Sequence, residues 1–178
     1  AEKSSRNYAA IFASRLDATL RRTDLALQDL SRRIPVGALN AQDSVQFAGE
    51  VRRELQAQRR NFDELLDLRV FDRSGELLYS SDAPDTLPLE VADREDFRAL
   101  RAAPQNGPLF SEELVAPASR RAGLIVARAL VDDDGAFLGM VSARLDLEHY
   151  QQIFRAADLG ATGAIILRRS DEQRLLVR

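Results

Sequence analysis

Three arginines in separate segments, Arg94, Arg128 and Arg144, together with Phe97 and Phe110, are the residues whose types and spacing suggest chemistry. Strand alternation says how they could meet. If residues 123–131 form a strand, Leu124, Val126, Arg128 and Leu130 share a face. In the next strand Met140, Ser142, Arg144 and Asp146 share one face, while Phe137, Val141 and Leu145 share the other. One side of the sheet is then mainly apolar, and the other mixes apolar side chains with Arg and Ser. That mixture suits a small-ligand site, which needs apolar walls for burial and a few convergent polar groups for orientation. The competing expectation is that each arginine points to water or pairs with Glu112, Glu113 or Asp146.

Other chemistries lack their parts. There is no cysteine, and the single histidine, His149, lies in a predicted helix between Glu148 and Tyr150. A hydrolytic triad therefore has no positioned base, and a tetrahedral zinc site lacks its usual donors. No nucleophile elbow, Walker loop or His-Glu-x-x-His motif occurs. Asp132, Asp133 and Asp134 could hold calcium, but they lack EF-hand spacing and its closing Glu, so turn residues explain them better. A domain without catalytic residues, metal or cofactor is expected.

At 178 residues the chain can bury about two-thirds of its unfolded surface and fold without staples. A charged fraction of 30% with a net charge of −3 makes neither a basic field nor an acidic tail, so nucleic acid is not an expected partner. Only Lys3 among the 25 basic residues is lysine, a bias that fits GC-rich codon usage better than selection for arginine chemistry. No run of about 18 apolar residues occurs, so any membrane contact is expected only through flanking segments. The opening on Ala1-Glu2-Lys3 suggests a piece of something longer.

The elements that must position these residues read as follows. From Tyr8 to Ile34, apolar or small residues recur at steps of three and four (Ala9, Ala13, Leu16, Leu20, Thr23, Leu27, Leu30, Ile34), predicting a long amphipathic helix that ends before Pro35. Its narrow seam fits either helix pairing in a homodimer or packing on the chain's own sheet. A second helix is predicted over residues 42–66, with Asn40 or Asp43 as cap. Its polar face, Glu50, Arg52, Arg53, Glu54, Arg59 and Arg60, reads as solvated.

After Asp67 the period changes from helical to strand-like. Residues 68–71 and 77–80 flank the turn Asp72-Arg73-Ser74-Gly75 and predict a hairpin. A loop over 81–88, a short helix over 93–101 and strands over 109–112, 123–131 and 136–146 follow. Asp134-Gly135 joins the last two strands as a hairpin signal, and a helix over 147–156 closes the unit. Residues 166–175 repeat the strand, polar turn and strand plan of 69–78, which suggests the first hairpin of a following module. The expected fold class is α+β: long helices over 1–66 packed on an antiparallel sheet of about five strands within 67–158, with 159–178 opening a second unit.

The order of these motifs, from the turn ending at Gly75 and Leu77-Leu78-Tyr79-Ser80-Ser81, through Asp93-Arg94 with Phe97, Gly107-Pro108-Leu109-Phe110-Ser111 and Ala127-Arg128, to Gly139 and Val141, resembles the membrane-distal module of a double Cache (PAS-like) extracytoplasmic sensor. The type preceding GGDEF diguanylate cyclase domains is the most similar. The resemblance implies a transmembrane segment before residue 1, a periplasmic location and a second module after Leu159. In amino-acid-binding members an Arg and aromatics of the helix motif hold the ligand carboxylate, which places Arg94 at that position with Phe97 and Phe110 near the aromatic positions. Tyr79, Arg128 and Arg144 complete the expected ligand-binding set. Two departures stand out: Asp96 replaces an expected Trp, and Arg144 falls where an ammonium-binding Asp would be. A cation there opposes an ammonium, so a carboxylate or phosphate compound is the better expectation, provided the register holds, since a slip of one residue turns Arg144 to the opposite face.

The function these expectations favour is a periplasmic sensory input domain that binds a small, anionic ligand and regulates a cytoplasmic output such as a diguanylate cyclase. The alternative is a dimerisation or protein-docking module, without a small ligand, of a histidine kinase or chemotaxis receptor. A side-chain-filled cavity beneath Arg94 would favour the second.

Overall fold

The opening amphipathic stretch folds as α1 (Glu2–Arg33), and the period-two stretches fold as one antiparallel sheet, so the chain is α+β as its patterning predicts. The computed structural model describes residues 2–82, 90–113, 123–156, 167–168 and 175–177. After α1 come a 3₁₀ turn (Val36–Leu39) and α2 (Ser44–Arg59), then β1 (Leu65–Asp72) and β2 (Leu77–Ser80). Next are α3 (Glu95–Ala102), β3 (Leu109–Glu113), β4 (Gly123–Val131), β5 (Phe137–Asp146) and α4 (Leu147–Ala156). A short pair, β6 (Leu167–Arg168) and β7 (Leu175–Val177), lies where the repeated hairpin is predicted; the turn joining it, much of the 81–88 loop and the remainder of 159–178 lie outside the described residues.

The sheet order is β2-β1-β5-β4-β3, all antiparallel, which puts β5 at the centre between β1 and β4. Its hairpin turns share one device at equal spacing. Asp72 accepts the Ser74 and Glu76 backbone N–H groups at 2.8 and 3.0 Å, and Asp132 accepts those of Asp134 and Ala136 at 3.0 and 2.8 Å. Three residues after each aspartate, Gly75 (φ 94°) and Gly135 (φ 82°) supply the left-handed backbone that closes the turn. The Asp132 carboxylate is thus occupied by its own turn.

Helix α2 ends seven residues earlier than predicted. Leu65 and Leu66 satisfy a helical period, but β5 offers Leu65 and the residues beyond it a ladder of backbone hydrogen bonds, with Leu65 opposite Leu145 and Asp67 opposite Arg144. The Arg59 Nε donates to the Leu66 carbonyl (3.0 Å) and fastens the turn between helix and strand.

Alternate residues of the strands build two cores. On one face Leu68, Val70, Tyr79, Val126, Leu130, Val141 and Leu145 pack beneath α1 (Leu27, Leu30) and α2 (Val51, Leu55). On the other, Phe71, Ile125, Ala127 and Met140 pack beneath α3 (Phe97, Leu100) and Val91. The predicted α1 seam is spent on the first core: Thr23, Leu27, Leu30 and Ile34 are buried and Leu16 and Leu20 half-buried, while Ala13 is exposed. Full burial of each leucine contributes about 1.5–3 kcal/mol. No helix among the described residues is long and apolar enough to cross a membrane.

Candidate functional site

The face beneath α3 carries charge as well as apolar surface. Strand β1 contributes Asp67, Arg69 and Phe71 to it, and β5 contributes Met140, Ser142 and Arg144. With Ile125 from β4, and Val91 and Arg94 ahead of α3, they enclose a cleft whose free space is about 10 Å³, enough for one water. Opposed positions of an antiparallel ladder share a face, and Asp67 opposes Arg144. The Arg144 Nε donates to Asp67 Oδ2 at 2.9 Å, and a terminal nitrogen of Arg144 binds the same oxygen. Arg69 reaches that oxygen at 3.2 Å, and its Nε lies 3.2 Å from Oδ1. Asp67 is 2% exposed, and the two guanidinium groups are nearly as buried.

Gly123 makes room for this group. A Cβ at that position would stand 2.9 Å from Arg144 Cδ and closer still to its Cγ, so the stem of Arg144 crosses β4 where no side chain exists.

Arg94 lies at the mouth of the cleft, where the backbone turns into α3. Its guanidinium forks onto Asp96 (3.0 and 2.6 Å) and donates to Ser111 Oγ (2.9 Å), whose hydroxyl donates to Asp96 Oδ2 (2.6 Å). Burial pushes the Asp96 carboxyl up, but hydrogen bonds from Arg94, Ser111 and the Phe97 backbone N–H, with the Arg94 charge, outweigh it and hold the pKa below the usual aspartate range. The pair bridges the start of α3 to strand β3. Glu95 and Asp96 also meet the positive end of the α3 dipole. Among the described residues the wall gathers three guanidinium groups about two carboxylates, Asp67 and Asp96.

The predicted set divides across the sheet. Arg94 and Arg144 lie in the cleft wall, and Phe97, fully buried, stands behind it edge-on to Phe137 with ring centroids 5.5 Å apart. Arg128, Tyr79 and Phe110 do not join them. Arg128 opposes Val141, so it faces the α1 side and forks onto Asp24 of α1. Tyr79 is buried on that side with its hydroxyl donating to the Ala38 and Ser44 carbonyls (2.7 and 3.1 Å), and burial raises its pKa despite the nearby Arg52 charge. Phe110 opposes Val126 on the edge strand and is 42% exposed. The convergence of three arginines in one cleft therefore holds for a different trio: Arg69, unforeseen, takes the place of Arg128. Arg69 and Phe71 lie in the strand predicted over 68–71, but starting that strand after Asp67 left out the first member of the alternating set Asp67, Arg69 and Phe71.

No family model and no curated protein matches the chain. Solved structures do, and the architecture they define is that of extracellular sensor and ligand-binding domains of bacterial receptors. The extracellular domain of rpHK1S-Z16, named as a histidine kinase, is 28% identical with a TM-score of 0.81, the match covering 98% of this chain and 69% of that one. The ligand-binding domain of the Campylobacter jejuni chemoreceptor Tlp3, in complex with 4-methylisoleucine, is 13% identical with a TM-score of 0.70 over 99% of this chain and 69% of that one. The sensor domain of the V. cholerae histidine kinase DctB is 24% identical with a TM-score of 0.66, covering 83% of this chain and 56% of that one. At such identities the last two are likenesses of fold, and a fold does not by itself carry a function.

Proposed function

We propose that this chain is the periplasmic sensory input domain of a transmembrane signalling protein and that it binds a small anion, a carboxylate or phosphate compound, between α3 and the sheet. The observation that supports this reading is the cleft wall itself, which gathers three guanidinium groups from two strands and the α3 entry about Asp67 and Asp96; its free space of about 10 Å³ is nearly filled by side chains, the feature expected of the docking-module alternative, so in this reading a ligand enters by displacing them. Guanidinium groups attract an anion and repel an ammonium. In this reading residues 67–158 form the membrane-distal ligand module, 159–178 open a second module, and residues 1–66 carry the signal. Binding biases α1 only as far as the ligand prefers one of two conformations. The chain itself is then no enzyme, and the output lies in another part of the protein.

For that output, a diguanylate cyclase is the proposal that the order of sequence motifs supports. A histidine kinase is the second reading, supported by the 28% identity to the extracellular domain of rpHK1S-Z16. A homodimer through α1 also belongs to this proposal. With the Thr23 to Ile34 seam spent on the sheet, the apolar positions left exposed at seven-residue steps are Ile11 (60%), Ala18 and Leu25 (62%).

Thermal unfolding of the purified protein against carboxylates, phosphates, amines and amino acids tests the ligand class, because a ligand that prefers the native state raises Tm. Saturable rises are expected with anions alone, and both Arg94→Ala and Arg144→Ala are expected to abolish them. A rise with amines, or an unchanged rise in both variants, refutes the assignment.

A further inference from the structure

Arg94 is an arginine where helix formation does not call for one. It is the N-cap of α3, a position that favours Ser, Thr, Asp or Asn; its side chain makes no capping hydrogen bond, and its charge stands at the positive end of the helix dipole. A closed ring of three side chains holds it there. The Arg94 Nε donates to Asp96 Oδ1 (3.0 Å), Nη2 donates to Asp96 Oδ2 (2.6 Å) and to Ser111 Oγ (2.9 Å), and the Ser111 hydroxyl closes the ring onto Asp96 Oδ2 (2.6 Å). The Phe97 backbone N–H, 2.9 Å from Asp96 Oδ1, anchors the same carboxylate to the helix. Of the guanidinium N–H groups, those on Nη1 alone have no partner among the described residues. Arg94 lines the cleft, whereas Asp96 and Ser111 do not and can act on a ligand only through it.

An entering anion has two ways to meet this ring. It can take the Nε–Nη2 edge from Asp96 and form a fork of its own, or it can leave the ring closed and bind Nη1. The first strands Asp96, whose side chain is 3% exposed, and a buried carboxylate that loses its cation keeps the whole cost of its lost hydration. The second breaks no bond of the ring, and the Arg94 side chain, at 27% exposure, is open to solvent at the mouth of the cleft. We infer that Asp96 and Ser111 are positioning residues for the ligand: they grip Arg94 by its Nε–Nη2 edge, close that edge to the anion, and present Nη1 as a donor from a single nitrogen. The inference rests on the anion-sensing reading above and extends it to two residues that reading does not require. An arginine already fixed in place loses less rotamer freedom on binding than a free one, so the ring raises affinity without touching the ligand.

The probes are propionate and inorganic phosphate, titrated by calorimetry well below the Tm of every variant, so that a loss of stability alone leaves the measured affinity unchanged. Asp96→Asn, which keeps the shape but puts an amide where one accepting oxygen stood, is expected to lower the affinity at least about tenfold. Ser111→Ala is expected to lower it about three- to tenfold, the worth of one hydrogen bond, and Ser111→Thr, which keeps the hydroxyl, to hold it within about twofold of the unchanged protein. A higher affinity in Asp96→Asn overturns the inference, because Asp96 is then a competitor for the arginine edge. Unchanged affinity in both Asp96→Asn and Ser111→Ala, with binding still lost in Arg94→Ala, also overturns it and leaves the anion reading standing. If neither anion binds the unchanged protein, the anion reading falls and this inference with it. Should Asp96→Asn fail to fold, the two Ser111 variants decide: an affinity in Ser111→Ala equal to that of the unchanged protein refutes the positioning role.

Discussion

The same five strands present two unlike faces, and the difference separates a surface that holds the fold from the one that carries the proposed ligand site. Toward α1 and α2 the sheet offers a continuous apolar layer, and its one inward arginine, Arg128, ties down Asp24 near the edge of the helix. Toward α3 the apolar layer is smaller and surrounds a buried group of three ions, Asp67, Arg69 and Arg144. The first face is stabilised by apolar burial, which is non-directional. The second depends on directional contacts, some of which under the proposed function are exchanged for contacts with a ligand. Alternation along β4 and β5 lets one residue step separate the two roles, as Arg128 and Ala127 show.

Substitutions that act on one face and spare the other test this division. Leu30→Ala, beneath α1, is expected to cost on the order of 2–5 kcal/mol in chemical denaturation, since the fully buried leucine leaves a cavity. If the variant still folds, its response to anions is expected to survive. Arg144→Ala should cost about 3 kcal/mol, at the lower end for a broken buried pair because Arg69 still faces Asp67, and it should abolish the anion response. Loss of stability with the response intact would show that the α3 face is structural only.

A smaller effect is expected from Gly123→Ala, about 1–3 kcal/mol, because the new methyl group collides with the stem of Arg144. Here the affinity for anions should weaken even though no charge has been removed, measurable by calorimetry. Acid tests the tether of α3. Asp96 has its pKa depressed in the folded state, so its contribution is fully present above its unfolded value of about 4 and disappears as pH falls through the folded one. The hydrogen-exchange protection factors of α3 amides, corrected for the intrinsic pH dependence of exchange, should therefore fall at low pH, and Asp96→Asn should flatten that dependence. The smallest change is expected for Arg128→Ala, about 1 kcal/mol or less for a partly exposed pair, with anion binding untouched. If that variant loses the anion response, the two faces are coupled more tightly than their separation across the sheet implies.

The α+β class, five strands in their places, both Asp-x-x-Gly turns and the α4 boundaries were legible in the sequence because each rests on local periodicity or on turn chemistry. Arg144 and Arg94 were legible as polar residues on apolar elements. Their partners were not, for two physical reasons. The leucines at 65 and 66 satisfy the helical and the strand period alike, and only pairing with β5 resolves them, so Asp67 stayed hidden at a misplaced boundary, while Arg69, inside the predicted strand, had no face until that pairing set one. Which face Arg128 joins depends on the register of β4 against β5, and alternation within one strand cannot supply it.

The amino-acid order by itself determined that a long amphipathic helix precedes an antiparallel sheet and that arginines interrupt its apolar pattern, since helical and strand periods are written in consecutive residues. Only the tertiary structure decided which carboxylate each arginine meets. Asp67 and Arg144 are 77 residues apart in the chain, and their contact exists because the ladder between β1 and β5 brings two distant positions to one level on one face.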